Sequence, residues 1–248
     1  MSRLQPPSFA AAHALPLVAF LVINALLPFV KVENEMLPWW RHAPEHWLYP
    51  VQSVIVGALI MWCWSRYEFK PVRTLLLATV LGAIGIVIWL LPALVYIQLQ
   101  SHGVIVPEWA SWFGLAAREQ GFTPEVFAGD SMAQVHTLAW RFFRMVVIVP
   151  FAEEIFWRGF LTRYIQADGG DFRKVPFGRH SWKAYIIVTT CFMLAHNPVD
   201  WFGAIGFGTL MYMLAIKSKS LAACIWMHAV ANLLLGIYVL WTRQWGFW

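Results

Sequence analysis

Apolar runs of bilayer length follow one another along almost the whole chain, and this pattern limits the possible folds more than any other feature. A helix needs about 20 apolar residues to cross a bilayer, within a range of roughly 17–25. Of the 248 residues, 60% are hydrophobic and 12% are charged, whereas a soluble domain has about 25% charged residues. We therefore expect an all-α, polytopic transmembrane helix bundle of about seven or eight spans with an interior catalytic cavity. The candidate spans are residues 14–31, 50–65, 74–98, 139–157, 184–199, 202–216 and 221–242.

No repeat, low-complexity tract or linker divides these spans, so we expect a single membrane domain over 1–248. The first 30 residues have a basic start and an apolar stretch, as a signal peptide does. However, KVENEMLPWW follows without a small-residue cleavage site, which favours retention as the first membrane helix. The three cysteines, Cys63, Cys191 and Cys224, lie within apolar runs, which favours buried free thiols over a disulfide framework.

The distribution of Lys and Arg between the loops predicts the orientation in the membrane. With a cytoplasmic N-terminus, the cytoplasmic side holds about twice as many of these residues as the outer side. The basic residues behind the net charge of +5 therefore lie in the loops, where they set the orientation in the membrane. For this reason the charge does not indicate a nucleic-acid partner, and we expect none. Arg141 and Arg144 fit this orientation least well, and we expect them at the outer interface or on a longer amphipathic helix. In the outer segment 99–137, VPEWASWFGLAAREQG is predicted to lie as a helix in the interface, with no chemical role.

Two adjacent carboxylates occur inside one apolar run, in FAEEIFWRGF at 151–160. Ionisable residues at membrane depth are costly and usually serve a function. Glu154 and Arg158 are four residues apart and so share a helix face, whereas Glu153 points about 100° away. We expect Glu154 to pair with Arg158 and Glu153 to remain free, beside a helix bend at Pro150. The alternative is a structural ion pair, with Glu153 directed towards the inner surface.

Two later spans carry further polar residues. His196 ends FMLAH (192–196), and His228 and Asn232 stand four apart in HAVAN (228–232), on one helix face. Taken singly, each of these residues has a structural explanation, because histidine and asparagine also form hydrogen bonds that hold membrane helices together. The three polar groups lie on three separate spans of the second half, and together they indicate a functional site.

A free glutamate, two imidazoles and an amide suit the hydrolysis of a peptide bond. The glutamate can act as a general base towards water, and histidine and asparagine can stabilise the oxyanion. Metal-assisted hydrolysis, with zinc bound by Glu153, His196 and His228, stays open at this point. H-E-x-x-H and G-x-S-x-G are absent, which disfavours the usual zinc-protease helix and a serine nucleophile. Asp130 lies in the outer segment, and there is no second intramembrane Asp for an aspartyl dyad.

The three motifs resemble those of a known family. EEIFWRG (153–159), FMLAH and HAVAN match, in order and spacing, the E-E-x-x-x-R, F-x-x-x-H and H-x-x-x-N motifs of the CAAX-protease and bacteriocin-processing (CPBP, or Abi) family. Trp157 stands where that family more often has Phe. The resemblance covers roughly 140–240. It implies a catalytic core over 139–242, preceded by N-terminal helices and an outer loop over 1–138.

The resemblance implies an intramembrane endopeptidase with a role for each residue. Glu153 would be the general base, His196 would help to hold the attacking water, and His228 and Asn232 would stabilise the oxyanion. Glu154 and Arg158 would form a supporting pair.

The expected substrate is a membrane-associated peptide or protein, cut near the cytoplasmic face of a bacterial inner membrane. Overall size and the RGFLTRYI run suggest the subgroup associated with exosortase and PEP-CTERM sorting systems. A non-catalytic membrane scaffold of the same family is the main alternative. A proton-coupled carrier is disfavoured because the two halves show no repeat.

Overall fold

In the computed structural model, which describes residues 7–119 and 121–248, the apolar runs form helices, and no strand occurs in the part described. The all-α prediction is confirmed. Arg3 and Gln120, which belong to the charge count and to the predicted interfacial helix, lie outside the described residues. The main helices are α1 (Phe9–Val30), α2 (Glu45–Trp62), α3 (Leu75–Ser101), α4 (Ser131–Ala167), α5 (Trp182–Leu194), α6 (Trp201–Ser218) and α7 (Leu221–Thr242).

Five of these helices, α1, α3, α4, α6 and α7, are long and apolar enough to cross a membrane. Helix α5 is apolar but has only 13 residues, and the 18-residue α2 is not among the five candidate spans. The predicted count of seven or eight spans is therefore not confirmed. The predicted span 139–157 is the middle of α4, whose 37 residues extend over about 55 Å and so exceed the roughly 30 Å hydrocarbon layer.

Short polar side chains cap the starts of the helices that carry the candidate site. Asp130 Oδ1 accepts a hydrogen bond from Ala133 N at the start of α4. Ser181 and Ser220 cap α5 and α7 in the same way, as these residue types commonly do. The cap gives Asp130 a structural role.

Glycines allow α3 to lie against α6 and α7. A Cβ atom on Gly82 would come within 2.7 Å of the Met227 carbonyl oxygen, and one on Gly85 within 2.8 Å of the Phe207 ring. Small residues at such crossings let membrane helices approach closely. This contact fixes the segment of α7 next to His228.

The connecting segments gather at two ends of the bundle. At one end, called here the loop end, segments 102–119, 121–130, 195–200 and 243–248 meet. The Phe122 and Trp248 rings there are 5.8 Å apart. At the other, the basic end, segments 63–74, 168–181 and 217–220 meet, and Arg73 Nε donates to the Ser218 carbonyl. In the predicted orientation the basic end faces the cytoplasm.

Candidate active site

Helix α4 has two π-helical turns, Arg144–Ile148 and Ile155–Leu161, which enclose the segment with both glutamates. Wide turns of this kind are frequent at functional sites. Pro150 follows the first turn and has no N–H to donate. In the i to i+5 pattern of a π-helix, a backbone N–H at position 150 would donate to the Met145 carbonyl oxygen. Asn232 Nδ2 donates to that oxygen instead, at 2.6 Å. Asn232 thus fastens α7 to α4. A carboxamide has two N–H groups, so one stays available to the cavity.

Glu154 is fully buried and holds two partners. Its Oε1 accepts hydrogen bonds from Arg158 Nη1 at 3.2 Å and from His228 Nδ1 at 2.8 Å. Arg158 Nη1 also lies 3.2 Å from Oε2 as an ion pair. The Glu154–Arg158 pair is present as the spacing predicts. The contact to His228 was not predicted, because it joins residues 74 positions apart.

Glu153 is directed away from this pair and lines a cavity of about 340 Å³. Its Oε2 atom is buried and has no hydrogen-bond partner among the described residues. Buried polar atoms are normally satisfied, and a charged one without a partner is costly. The free oxygen therefore marks a place for water or a substrate group.

The same cavity is lined by His196, His228 and Asn232. The four residues predicted to act together thus meet at one space, although they come from α4, α7 and the segment just after α5. One water molecule needs about 10–15 Å³ of accessible space, so the cavity has room for water and part of a peptide.

The position of the His196 proton follows from its hydrogen bond. Its Nδ1 lies 2.7 Å from the Phe192 carbonyl oxygen. A carbonyl only accepts, so Nδ1 carries the hydrogen, and in the neutral ring Nε2 is the acceptor. Trp201 Nε1 donates to the His196 carbonyl at 3.1 Å and holds this part of the backbone. His196 can therefore accept a hydrogen bond from water through Nε2.

Arg141 and Arg144 also line the cavity, and each is only 7% exposed. Of the two predicted placements, the structure has the longer helix, since both arginines lie on the 37-residue α4. Arg144 Nε donates to Gln52 Oε1 at 2.6 Å and Nη2 to Asn24 Oδ1 at 2.9 Å, so polar groups on α2 and α1 hold it inside. One signal for this role was present, since these two arginines departed from the charge pattern of the loops.

The predicted interfacial helix in the outer segment is also wrong. Only Glu108–Phe113 forms a short 3₁₀ turn. It ends at Gly114, whose φ of +82° is left-handed and does not continue a helix. Beyond it, Arg118 forms an ion pair with Asp200 at 2.7 Å, and both residues line the cavity. This segment therefore contributes to the candidate site.

The three predicted zinc ligands do not form a metal site. In the described part of the chain, no three His, Cys, Asp or Glu side chains are grouped so that they could hold a metal ion. Glu153, His196 and His228 share a cavity without forming such a group.

Residues 135–234 match the model of a family described as type II CAAX prenyl endopeptidase Rce1-like. This match covers 100 of the 248 residues and supports the resemblance to the CAAX-protease family. The matched segment runs from α4 into α7 and agrees with the extent predicted from the motifs. It contains the six predicted site residues, namely Glu153, Glu154, Arg158, His196, His228 and Asn232. No curated protein and no solved structure matches the chain.

The match to this family model supports a membrane endopeptidase at the level of the family. It agrees with the five helices that are long and apolar enough to span a membrane. Assignment to the exosortase-associated subgroup stays a prediction.

Proposed function

We propose that this chain is an intramembrane endopeptidase of the CAAX-protease type that hydrolyses a peptide bond in a membrane-associated substrate. The observation that supports this most is the unpartnered, buried oxygen of Glu153 in a cavity shared with two histidines and an asparagine. Its neighbour Glu154 is committed to Arg158 and His228. One carboxylate therefore maintains the site while the other is free for chemistry.

In the first step Glu153 takes a proton from a water molecule, and the water oxygen attacks the carbonyl carbon of the scissile bond. A positioned general base typically contributes about 10²–10⁴-fold to the rate. His196 Nε2 accepts a hydrogen bond from the same water. This bond orients a lone pair of the water oxygen towards the carbonyl carbon. The carbonyl π bond opens, and the negative charge moves to the oxygen.

In the second step this oxyanion needs donors. Asn232 offers its second N–H, and His228 offers Nε2–H when both ring nitrogens carry hydrogen. Glu154 accepts from His228 Nδ1 and so fixes the ring. One preorganised donor is worth roughly 10²–10³ in turnover. The carbon–nitrogen bond then breaks, and the proton held by Glu153 passes to the leaving amine, which regenerates the carboxylate.

Access to the cavity differs from the expectation drawn from the sequence. Cleavage was predicted near the cytoplasmic face, but the cavity extends from Glu153 to residues of the loop end, namely Arg118, Asp200 and Trp248. In a bacterial inner membrane, with the predicted cytoplasmic N-terminus, that end faces outward. We therefore place substrate entry at the loop end.

The test uses the full-length protein in liposomes with a pool of randomised peptides in water labelled with heavy oxygen. Mass spectrometry should find products with one labelled oxygen in each new carboxylate. His196→Ala should lower the rate at least tenfold, whereas His102→Ala, an exposed histidine outside the cavity, should not change it. Absence of products from the wild-type protein, with the fold intact, would support the non-catalytic scaffold instead.

A further inference from the structure

Helix α5 is too short to cross a bilayer, and one of its faces is exposed and mostly apolar. Its 13 residues extend over about 20 Å, whereas the hydrocarbon layer is roughly 30 Å thick. Exposed side chains recur three or four residues apart along this face, namely Lys183, Ile186, Ile187, Thr190 and Leu194. This α5 stripe is about 16 Å long, close to half of the hydrocarbon layer. It therefore has the length of a lipid chain in a single leaflet.

A polar pocket of about 350 Å³ lies where the α5 stripe begins, at the basic end of the bundle. It is formed by the end of α4, the segment that follows and the first turn of α5. The polar residues that line it are Gln166, Asp168, Arg179, His180, Ser181 and Lys183. None of these residues lines the cavity of Glu153. Lys183 belongs both to this basic-end pocket and to the stripe, so the two surfaces are continuous.

Hydrogen bonds from two helices hold the wall of the basic-end pocket in place. Gln166 Nε2, on α4, donates to the Arg179 carbonyl oxygen at 3.1 Å. The Tyr212 hydroxyl, on α6, donates to the Ser181 carbonyl oxygen at 3.0 Å and accepts from Ser181 N at 2.8 Å. The same hydroxyl lies 3.2 Å from His180 Nδ1. The wall is thus formed before any ligand binds, which lowers the entropic cost of binding.

The charges of the basic-end pocket favour an anion. Arg179, Lys183 and Asp168 line it, and none of the three forms an ion pair among the described residues. With His180 neutral, the lining therefore carries one positive charge in excess. The other two acidic residues in the segments of the basic end, Glu68 and Asp171, are already paired with arginines. Those segments contain eight Lys or Arg residues against three acidic ones, so the surroundings add to the positive potential.

We propose that the basic-end pocket binds the headgroup of an anionic phospholipid, with an acyl chain along the α5 stripe. Arg179 and Lys183 contact the phosphate oxygens through charge-assisted hydrogen bonds. The stem of Lys183 lies against the first methylenes of the chain, since long basic side chains place their apolar part in the hydrocarbon and their charge at the interface. This inference goes beyond the proposed hydrolysis and does not depend on it.

A phospholipid fits this site better than a soluble phosphate does. The pocket opens onto the α5 stripe, where Ile186 is 58% and Leu194 is 59% exposed, and such a surface needs hydrocarbon to cover it. In the predicted orientation the basic end faces the cytoplasm, and the cytoplasmic leaflet carries anionic lipids. A lipid with one chain along the stripe satisfies the pocket and the stripe at the same time, whereas a free phosphate leaves the stripe uncovered.

The first experiment compares headgroups by native mass spectrometry of the full-length protein in detergent micelles. Dioleoyl phosphatidylglycerol is titrated against the phosphatidylethanolamine and phosphatidylcholine lipids with the same chains. Two basic side chains at a membrane surface predict about 10–30-fold tighter binding of the first phosphatidylglycerol molecule. Equal affinities, or tighter binding of a zwitterionic lipid whose ammonium pairs with Asp168, would overturn the proposal. An excess of soluble glycerol phosphate should not displace the bound lipid. Displacement would assign the pocket to a soluble phosphate instead.

The second experiment assigns the headgroup preference to the basic-end pocket. The double variant Arg179→Gln/Lys183→Gln should lower the affinity for phosphatidylglycerol to that for phosphatidylcholine, and Lys183→Gln alone should remove part of the difference. The matched control is Lys174→Gln/Lys217→Gln, which removes two exposed positive charges from the same end but outside the pocket. It should keep the preference. An unchanged preference in the pocket variant, or an equal loss in both double variants, would contradict a defined site.

The third experiment locates the acyl chain. Phosphatidylglycerol with a photoactivatable diazirine in one chain is bound to the wild-type protein, irradiated and mapped by peptide mass spectrometry. Crosslinks should concentrate in α5 between Ile186 and Leu194, and Arg179→Gln/Lys183→Gln should reduce their yield about tenfold. Crosslinks spread equally over the exposed faces of α1 and α3, with a yield that the double variant does not change, would show that the chain has no preferred position and would overturn the proposal.

Discussion

The adjacent residues Glu153 and Glu154 should respond in opposite ways to the same substitution. Glu154→Gln keeps the side-chain shape but removes the charge that faces Arg158 and His228. Arg158 is 5% exposed, and Glu154 is its only ion-pair partner among the described residues. Removing one member of a buried ion pair costs about 3–5 kcal/mol. That is a large share of the roughly 5–15 kcal/mol that stabilise a typical protein.

Glu153→Gln removes a charge that forms no ion pair among the described residues. Since Glu153 Oε2 has no hydrogen-bond partner, the substitution breaks no contact of that atom. We expect the free energy of unfolding to change by less than about 0.5 kcal/mol, or to rise, because burying an unpaired charge is unfavourable. Activity should nevertheless be lost.

Unfolding can be followed in mixed micelles by titration with dodecyl sulfate, using circular dichroism. A thiol-reactive fluorophore gives a second readout, because Cys63 and Cys224 are buried and become accessible only on unfolding. Glu154→Gln should lower the midpoint clearly, and Glu153→Gln should leave it in place. Equal destabilisation by both substitutions, or none by Glu154→Gln, would refute the division of roles between the two carboxylates.

Three further predictions follow from contacts around the site. Gly82→Ala should cost about 1–3 kcal/mol of stability, because its Cβ would lie 2.7 Å from the Met227 carbonyl oxygen. Gly57→Ala is the control and should cost little, because its Cβ meets only a side-chain tip at 3.4 Å. Equal unfolding midpoints for the two variants would contradict the close helix contact. Asn232→Ala should lower stability by about 1–3 kcal/mol, since it leaves the Met145 carbonyl oxygen without its donor; an unchanged unfolding midpoint would show that this bond is unimportant. Treatment with phenanthroline should leave peptide hydrolysis unchanged, as the described residues offer no three-ligand group; a loss of rate that zinc restores would overturn this.

The sequence predicted those features that depend on local spacing. Apolar runs located the main helices, and the four-residue separation of Glu154 and Arg158 predicted their ion pair. The motifs also selected residues that line one cavity. Each of these inferences needs only the period of a helix or the thickness of a bilayer.

Contacts between distant segments could not be predicted in this way. His228 reaches Glu154 because α7 packs closely against α4, where a Cβ atom on Gly236 would come within 2.7 Å of the Phe142 ring. No local pattern encodes that approach. The inward position of Arg144 depends on Gln52 and Asn24, two neutral residues on other helices. A count of charges in loops cannot detect such partners, and it therefore left the position of this arginine open between the interface and a longer helix.

The most direct test of the proposed chemistry is the rate of peptide hydrolysis at saturating substrate by Glu153→Gln, compared with wild-type protein. Glu108→Gln is the matched control, because Glu108 is exposed at the loop end and does not line the cavity. We predict a fall of about 10²–10⁴-fold for Glu153→Gln, no change for Glu108→Gln, and the same unfolding midpoint for all three proteins. Hydrolysis by Glu153→Gln within a few-fold of the wild-type rate would contradict the role of Glu153 as the general base.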